Sequence, residues 1–285
     1  MPTLTEESDL RALVAELGET WLDFDGSQSL HQPAARRGKR FLGSDLARMT
    51  AVWGLTCHVY ETSRAIALLV DNHMPNQAIP LVRFAYESAL TAAWLVQSKD
   101  QHGITAFLHE YNRTRAALKK DAFEAVSATF RDVAPEITDA DPSEFEGSAD
   151  SVQRFRGICL DLTPGGMDAY IYYRILSSYS HASVNISDLY FQRSDSSDGV
   201  PNYVGQQESL GAPLLLFLTA ASMVWAGRAF TYMTQDKHHR TRIRKAAQLL
   251  GINSELQLSE HYRRRHLNKA TRRSSNQSPR TAPEK

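Results

Sequence analysis

From Leu210 to Gly227 the chain runs 18 residues without a charge, LGAPLLLFLTAASMVWAG, bracketed by Glu208 and Arg228. That length stands at the lower limit for crossing a bilayer. The run also contains Pro213, two glycines, Thr219 and Ser222, and no second run of its kind accompanies it. The pattern predicts a core helix, apolar all round because other helices surround it, and no membrane span. Such a helix can be buried only if the rest of the chain supplies amphipathic partners.

It does so repeatedly. Residues 5 to 23 set Leu10, Leu13, Val14, Leu17 and Trp21 at helical spacing. Ser44 is the expected cap of a long helix reaching Val70, with Leu46, Met49, Val52, Leu55, Val59 and Ile66 as its apolar positions. Asn76 to Gln97 is apolar on nearly every side, with Pro80 expected in its first turn, where a missing N–H costs little. A further helix is expected from Gly103 to Phe130. Six acidic residues between Glu136 and Asp150 then read as a solvated linker.

A short helix at 151–160 leads to TPGG at 163–166, followed by a helix from Asp168 to Tyr190. Helices at 210–234 and 240–250 come next, the last stopped by Gly251, and from Ser274 the composition is that of a disordered tail. No alternating strand pattern and no internal repeat is present. The expected fold class is all-α, a multi-helix bundle over residues 1–235 followed by a basic C-terminal helix and disordered tail over 236–285.

Cys57 and Cys159 lie far apart without metal-type spacing, and the N-terminal MPTLTEESDL lacks a basic stretch followed by an apolar one. Both point to a reduced, cytoplasmic setting. The net charge of zero hides an asymmetry: residues 236–285 carry net +9 and residues 1–235 net −9. Dense Lys and Arg in HYRRRHLNKATRRSS attract phosphate backbones without reading sequence. Arg263, Arg264, Arg265, Lys269, Arg272 and Arg273 are therefore the candidate nucleic-acid contacts. A solubilising tail, or one docked on the acidic body of its own partner chain, explains the same residues equally well.

The expected 168–190 helix has two faces. At about 100° per residue, Ile171, Ile175, Tyr179, Ala182, Ile186 and Leu189 form a packing face. Tyr170, Arg174, Ser177, Ser178, His181, Asn185 and Asp188 form a polar stripe opposite. Imidazole titrates near neutrality and can move protons, and a guanidinium matches phosphate oxygens. Such a pair can cleave a phosphodiester without a metal, with Ser177, Ser178 and Asn185 as orienting groups. In one straight helix, however, Arg174 leans away from His181, so a kink or a second subunit is needed to unite them. The plainer alternatives are a solvated helix face or a polar network that fixes packing.

Arg174–ILSSYS–His181 resembles the Arg-(four to six residues)-His motif of the HEPN superfamily of helical ribonucleases. YYRILSSYSHAS and LVRFAYESALTAAWL, the latter with Arg83 and Glu87, resemble a family of uncharacterised bacterial helical proteins. The resemblance implies a metal-independent endoribonuclease of toxin or phage-defence type, with Arg174 and His181 catalytic and two copies meeting as a homodimer. It also implies RNA as substrate and, for a toxin, a protein partner such as an antitoxin. Position 175, often polar in HEPN proteins, is Ile here. Some superfamily members only bind RNA or proteins, so a non-enzymatic binding module is the alternative.

Arg83 and Glu87 stand one turn apart on a helix that looks buried. They read as a polar clamp with Arg64 or Glu61 as partners, or as support for His181. Di-iron and zinc spacings, Gly-rich phosphate loops and nucleophile elbows are all missing, so neither metal nor cofactor is expected.

Overall fold

A computed structural model describes residues 5–25, 43–138, 150–192, 201–205, 209–234 and 239–267, with single residues of the 141–148 segment, 199 and 207. In chain order the helices are α1 (Glu7–Asp25), α2 (Gly43–Asp71), α3 (Pro75–Gln97), α4 (His102–Glu124), α5 (Ala128–Val133), α6 (Phe155–Asp161), α7 (Gly166–Ser178), α8 (Val184–Asp188), α9 (Ala212–Met233) and α10 (Arg240–Leu250). Residues 260–267 are also helical. Two antiparallel pairs of two-residue strands tie loops together: β1 (Leu162–Thr163) with β4 (Gln257–Leu258), and β2 (Phe191–Gln192) with β3 (Asn202–Tyr203). The fold is an all-α multi-helix bundle.

α2, α3 and α9 form the centre, α1 lies against α9 and α2, and α10 covers the far side of α9. The uncharged run becomes α9. It is long and apolar enough to cross a bilayer, but 83% of its apolar window is buried inside the bundle, as the core-helix reading requires. Its small residues let neighbours close in. A Cβ on Gly227 would stand 2.6 Å from the Tyr60 hydroxyl and 2.9 Å from Ile243, so only glycine admits α2 and α10 at that level. Tyr60 donates to the Met223 carbonyl at 3.0 Å, and Trp21 of α1 stacks on the Tyr60 ring with centroids 4.6 Å apart. Ile243, Ala246, Ala247 and Leu250 of α10 belong to the same apolar core as α2, α3 and α9.

Several boundaries differ from expectation. Pro75, not Pro80, occupies the first turn of α3, and Pro80 sits inside the helix. α2 already includes Gly43 and Ser44. The expected 103–130 helix stops at Glu124 and resumes at Ala128, because Ser127 adopts an extended conformation. Gly251 ends α10 as expected, in the left-handed conformation with φ 66°. Asp150, assigned to a solvated linker, is instead buried.

The largest difference is in 168–190. The helix breaks after Ser178, and residues 179–183 are non-helical before α8. Three serine hydroxyls cap carbonyls around the break. Ser178 donates to the Ile175 carbonyl at 2.7 Å, Ser180 to that of Leu176 at 2.7 Å, and Ser183 to that of Ser178 at 2.9 Å. Side-chain hydroxyls thus occupy carbonyls that a continuing helix would offer to backbone N–H groups. The buried face is also rotated by about a third of a turn from the expected one, which has Tyr172 and Leu176 on its shoulder: Ala169 and Leu176 are buried and Tyr173 is half-buried, while Ile171 and Ile175 are 48% and 37% exposed. Both faces of α7 are apolar, so periodicity alone could not choose between them. The face with the small Ala169 packs closest to α3.

Candidate functional site

Gly165 and Gly166, at φ 139° and 54°, turn the chain out of β1 into α7 in backbone conformations that side chains rarely adopt. α7 then rests on α3 and α6. Tyr86 of α3 donates to the Ala169 carbonyl at 3.2 Å, and burial pushes the Tyr86 hydroxyl well above the usual phenol range. Tyr173 is wedged between Phe155 at 4.7 Å and Tyr170 at 5.9 Å, centroid to centroid. Its ring position is therefore fixed by packing from two elements.

Against this ring lies Arg83 of α3. Its guanidinium stands 5.1 Å from the Tyr173 centroid, and Nη2 donates to the Tyr173 hydroxyl at 3.2 Å and faces Glu87 at 3.5 Å. Nη1 meets Nε2 of His181 at 2.8 Å. Arg83 Nε is buried and has no hydrogen-bond partner. The break at 179–183 is what brings His181 to Arg83. On a continuous helix its direction would be set by the wheel, whereas here it belongs to a turn between α7 and α8.

The other expected site residues are distributed around this contact. Arg174 follows Tyr173 on α7 and is exposed, with no hydrogen bond or ion pair to His181. Ser177 has a buried hydroxyl oxygen without a partner. Ser178 is committed to the helix end, and Asn185 is exposed on α8. Arg83 meets His181 and pairs with Glu87, and not with Glu61, which like Arg64 is exposed. Among the described residues, no group of three or more His, Cys, Asp or Glu converges as metal ligands.

A second polar cluster lies at the opposite end of α3, where sequence reasoning expected nucleic-acid contacts, a solubilising tail or docking on a partner chain; the docking is on this chain's own carboxylates. Arg265 reaches both Asp150, at 3.0 Å, and Asp161. His266 Nε2 meets Asp150 at 2.8 Å, and His261 Nδ1 meets Asp161 at 3.1 Å. Tyr262 donates to Asp150 at 3.1 Å and accepts from the Lys99 backbone at 2.8 Å. The Trp94 indole N–H donates to Asp161 at 3.1 Å. The two carboxylates are almost fully buried, and burial holds Asp161 above the usual carboxylate range despite the pull of Arg265.

Arg265 is thus part of a clamp. Arg263 and Arg264 face outward, paired loosely with Glu260 at 3.7 and 3.4 Å. Lys269, Arg272 and Arg273 lie outside the described residues. A legible signal existed: positions 261, 262, 265 and 266 share one helical face, and Asp161 interrupts the apolar run ICLDL.

Residues 49–199, a little over half of the chain, match a family of unknown function, DUF5677. That span covers α3, α7 and the Arg83–His181 contact; it includes Trp94, Asp150 and Asp161 of the clamp and ends before His261, Tyr262, Arg265 and His266. No curated protein and no solved structure matches the chain.

Proposed function

We propose that this chain, which belongs to the DUF5677 family, is a metal-independent endoribonuclease acting in a toxin or phage-defence setting. The observation that carries the reading is the exposed imidazole of His181 held at 2.8 Å by Arg83, in a turn just beyond exposed Arg174. A proton acceptor beside one guanidinium group suits a phosphodiester, whose negative charge grows as the adjacent 2′-hydroxyl attacks. His181 and Arg174 are the proposed catalytic residues. Arg83, Glu87, Ser177, Ser178 and Asn185 support them, and Arg263 and Arg264 add outward-facing positive charge for RNA.

The reading includes a homodimer. Met167, Ile171, Tyr172 and Ile175 form an exposed apolar stripe on α7, beside Arg174, and burying such a stripe against a second copy would bring the two sites together. The same stripe favours the second reading, a non-enzymatic module that docks a protein partner such as an antitoxin.

The deciding experiment incubates purified protein with RNA in EDTA and looks for 2′,3′-cyclic phosphate ends. The wild type is expected to cut and His181→Ala to be inactive at unchanged melting temperature. Equal cutting by both, or none by either, rejects the enzyme. Retained salt-sensitive RNA binding, or a stable complex with a partner protein, would then support the binding module.

A further inference from the structure

Arg83 does more than stand near His181. A guanidinium carries five donors and no acceptor. The 2.8 Å contact from Nη1 to Nε2 therefore requires Nε2 to accept and the ring proton to reside on Nδ1. With a proton on Nε2, two N–H groups would point head to head. Arg83 cannot easily step aside, because Glu87, the Tyr173 hydroxyl and the Tyr173 ring hold it from three directions and its side chain is only 17% exposed. Tyr173 is in turn wedged between Phe155 and Tyr170.

We infer that Arg83 is a positioning residue that fixes His181 as the Nδ1–H tautomer and caps its Nε2 lone pair in the free protein. A bound phosphodiester, a charged acceptor that matches the guanidinium fork, then takes over the Nη1 hydrogen bond and uncovers that lone pair, while Glu87 and Tyr173 keep Nη2 in place. The second half rests on the ribonuclease reading, whereas the first half does not. In the cleavage step Nε2 takes the proton of the 2′-hydroxyl and the O2′–P bond forms. The P–O5′ bond breaks with its electron pair passing to O5′, which takes a proton from water. Base catalysis is thus withheld until a phosphate occupies the site.

The test is nitrogen-15 NMR of the histidine side chains in the full chain, with His181 assigned through His181→Gln. The wild type should show an unprotonated Nε2 and a protonated Nδ1; an Nε2–H tautomer in the wild type overturns the inference without any variant. Arg83→Met should return His181 to the Nε2–H form that imidazole favours in water, and an unchanged tautomer in this variant, with a native circular dichroism spectrum, also overturns it.

A 2′-O-methyl oligoribonucleotide, which cannot be cut, should shift the Nε2 resonance in wild type and leave it in place in Arg83→Met; no shift in wild type removes the uncapping step. Cleavage measured on the same samples separates the two ideas. Cutting with an Nε2–H tautomer sinks the cap and spares the nuclease. The Nδ1–H tautomer without cutting supports the cap and sinks the nuclease.

Discussion

The two ends of α3 handle charge in opposite ways. Near its start, Arg83 presents a cation to an imidazole at the surface, with Glu87 as a partner 3.5 Å away. Near its end, two buried carboxylates are enclosed by Arg265, His261, His266, Tyr262 and Trp94. In the second corner nearly every polar atom is answered from within the chain, which is how buried charge becomes tolerable. In the first, the imidazole is open to solvent. The closed corner ties the C-terminal helix to the bundle, whereas the open one leaves an imidazole accessible to solvent.

That contrast can be broken experimentally. The largest expected effect is on the open side: His181→Ala should lower RNA cleavage about 10²–10⁴-fold, with the thermal midpoint unchanged. A matching loss of stability would show that the open corner is structural after all. On the closed side, Asp161→Ala leaves Arg265 and the Trp94 N–H facing an empty space. Breaking a buried pair in this way costs on the order of 3 kcal/mol, or roughly 6–12 °C in the thermal midpoint of a chain this size, as read by differential scanning calorimetry. Cleavage per folded molecule should stay at the wild-type value.

A third measurement asks whether closed clamps elsewhere behave the same way. Burial pushes the Glu255 carboxyl up, but Arg228, Tyr232 and Arg244 more than offset this and hold it at about 2. A carboxyl lowered in the folded state stabilises the fold above its ordinary value near 4.5, and that contribution fades as pH falls toward 2. Glu255→Gln should therefore lose on the order of 2–3 kcal/mol at pH 7 and converge with wild type near pH 2 in urea titrations. The smallest expected stability change belongs to Ile171→Glu. Its site is exposed, so the monomer should keep its stability within about 0.5 kcal/mol. Sedimentation should nonetheless show a proposed dimer falling apart, and an unchanged sedimentation coefficient would count against that interface.

Sequence reasoning reached the helices because apolar spacing over 10–29 residues has few other solutions. Gly251 marked the end of α10, and the uncharged run marked its central helix. It failed in α7, where Ala169, Tyr173 and Leu176 on one side and Met167, Ile171 and Ile175 on the other are both apolar, so only packing on α3 decides. It also missed the helix break, since no Gly or Pro marks it and serine-type hydroxyls bond to carbonyls in unbroken α9 as well, at Thr219 and Ser222. Arg83 and His181 were both legible as individual residues, but their meeting depends on that break. The clamp on Asp150 and Asp161 was hidden because a cluster of arginines reads as net charge, while the one inward-facing arginine is selected by the fold.

The position of α9 has a consequence for how the chain is made. α2 and α3 leave the ribosome early, but the helix that covers their inner faces follows roughly a hundred residues later. At cellular translation speeds that delay is on the order of ten seconds. Through this interval the faces of α2 and α3 that meet α9 stay uncovered, so each nascent copy completes its core only when its own late segment arrives.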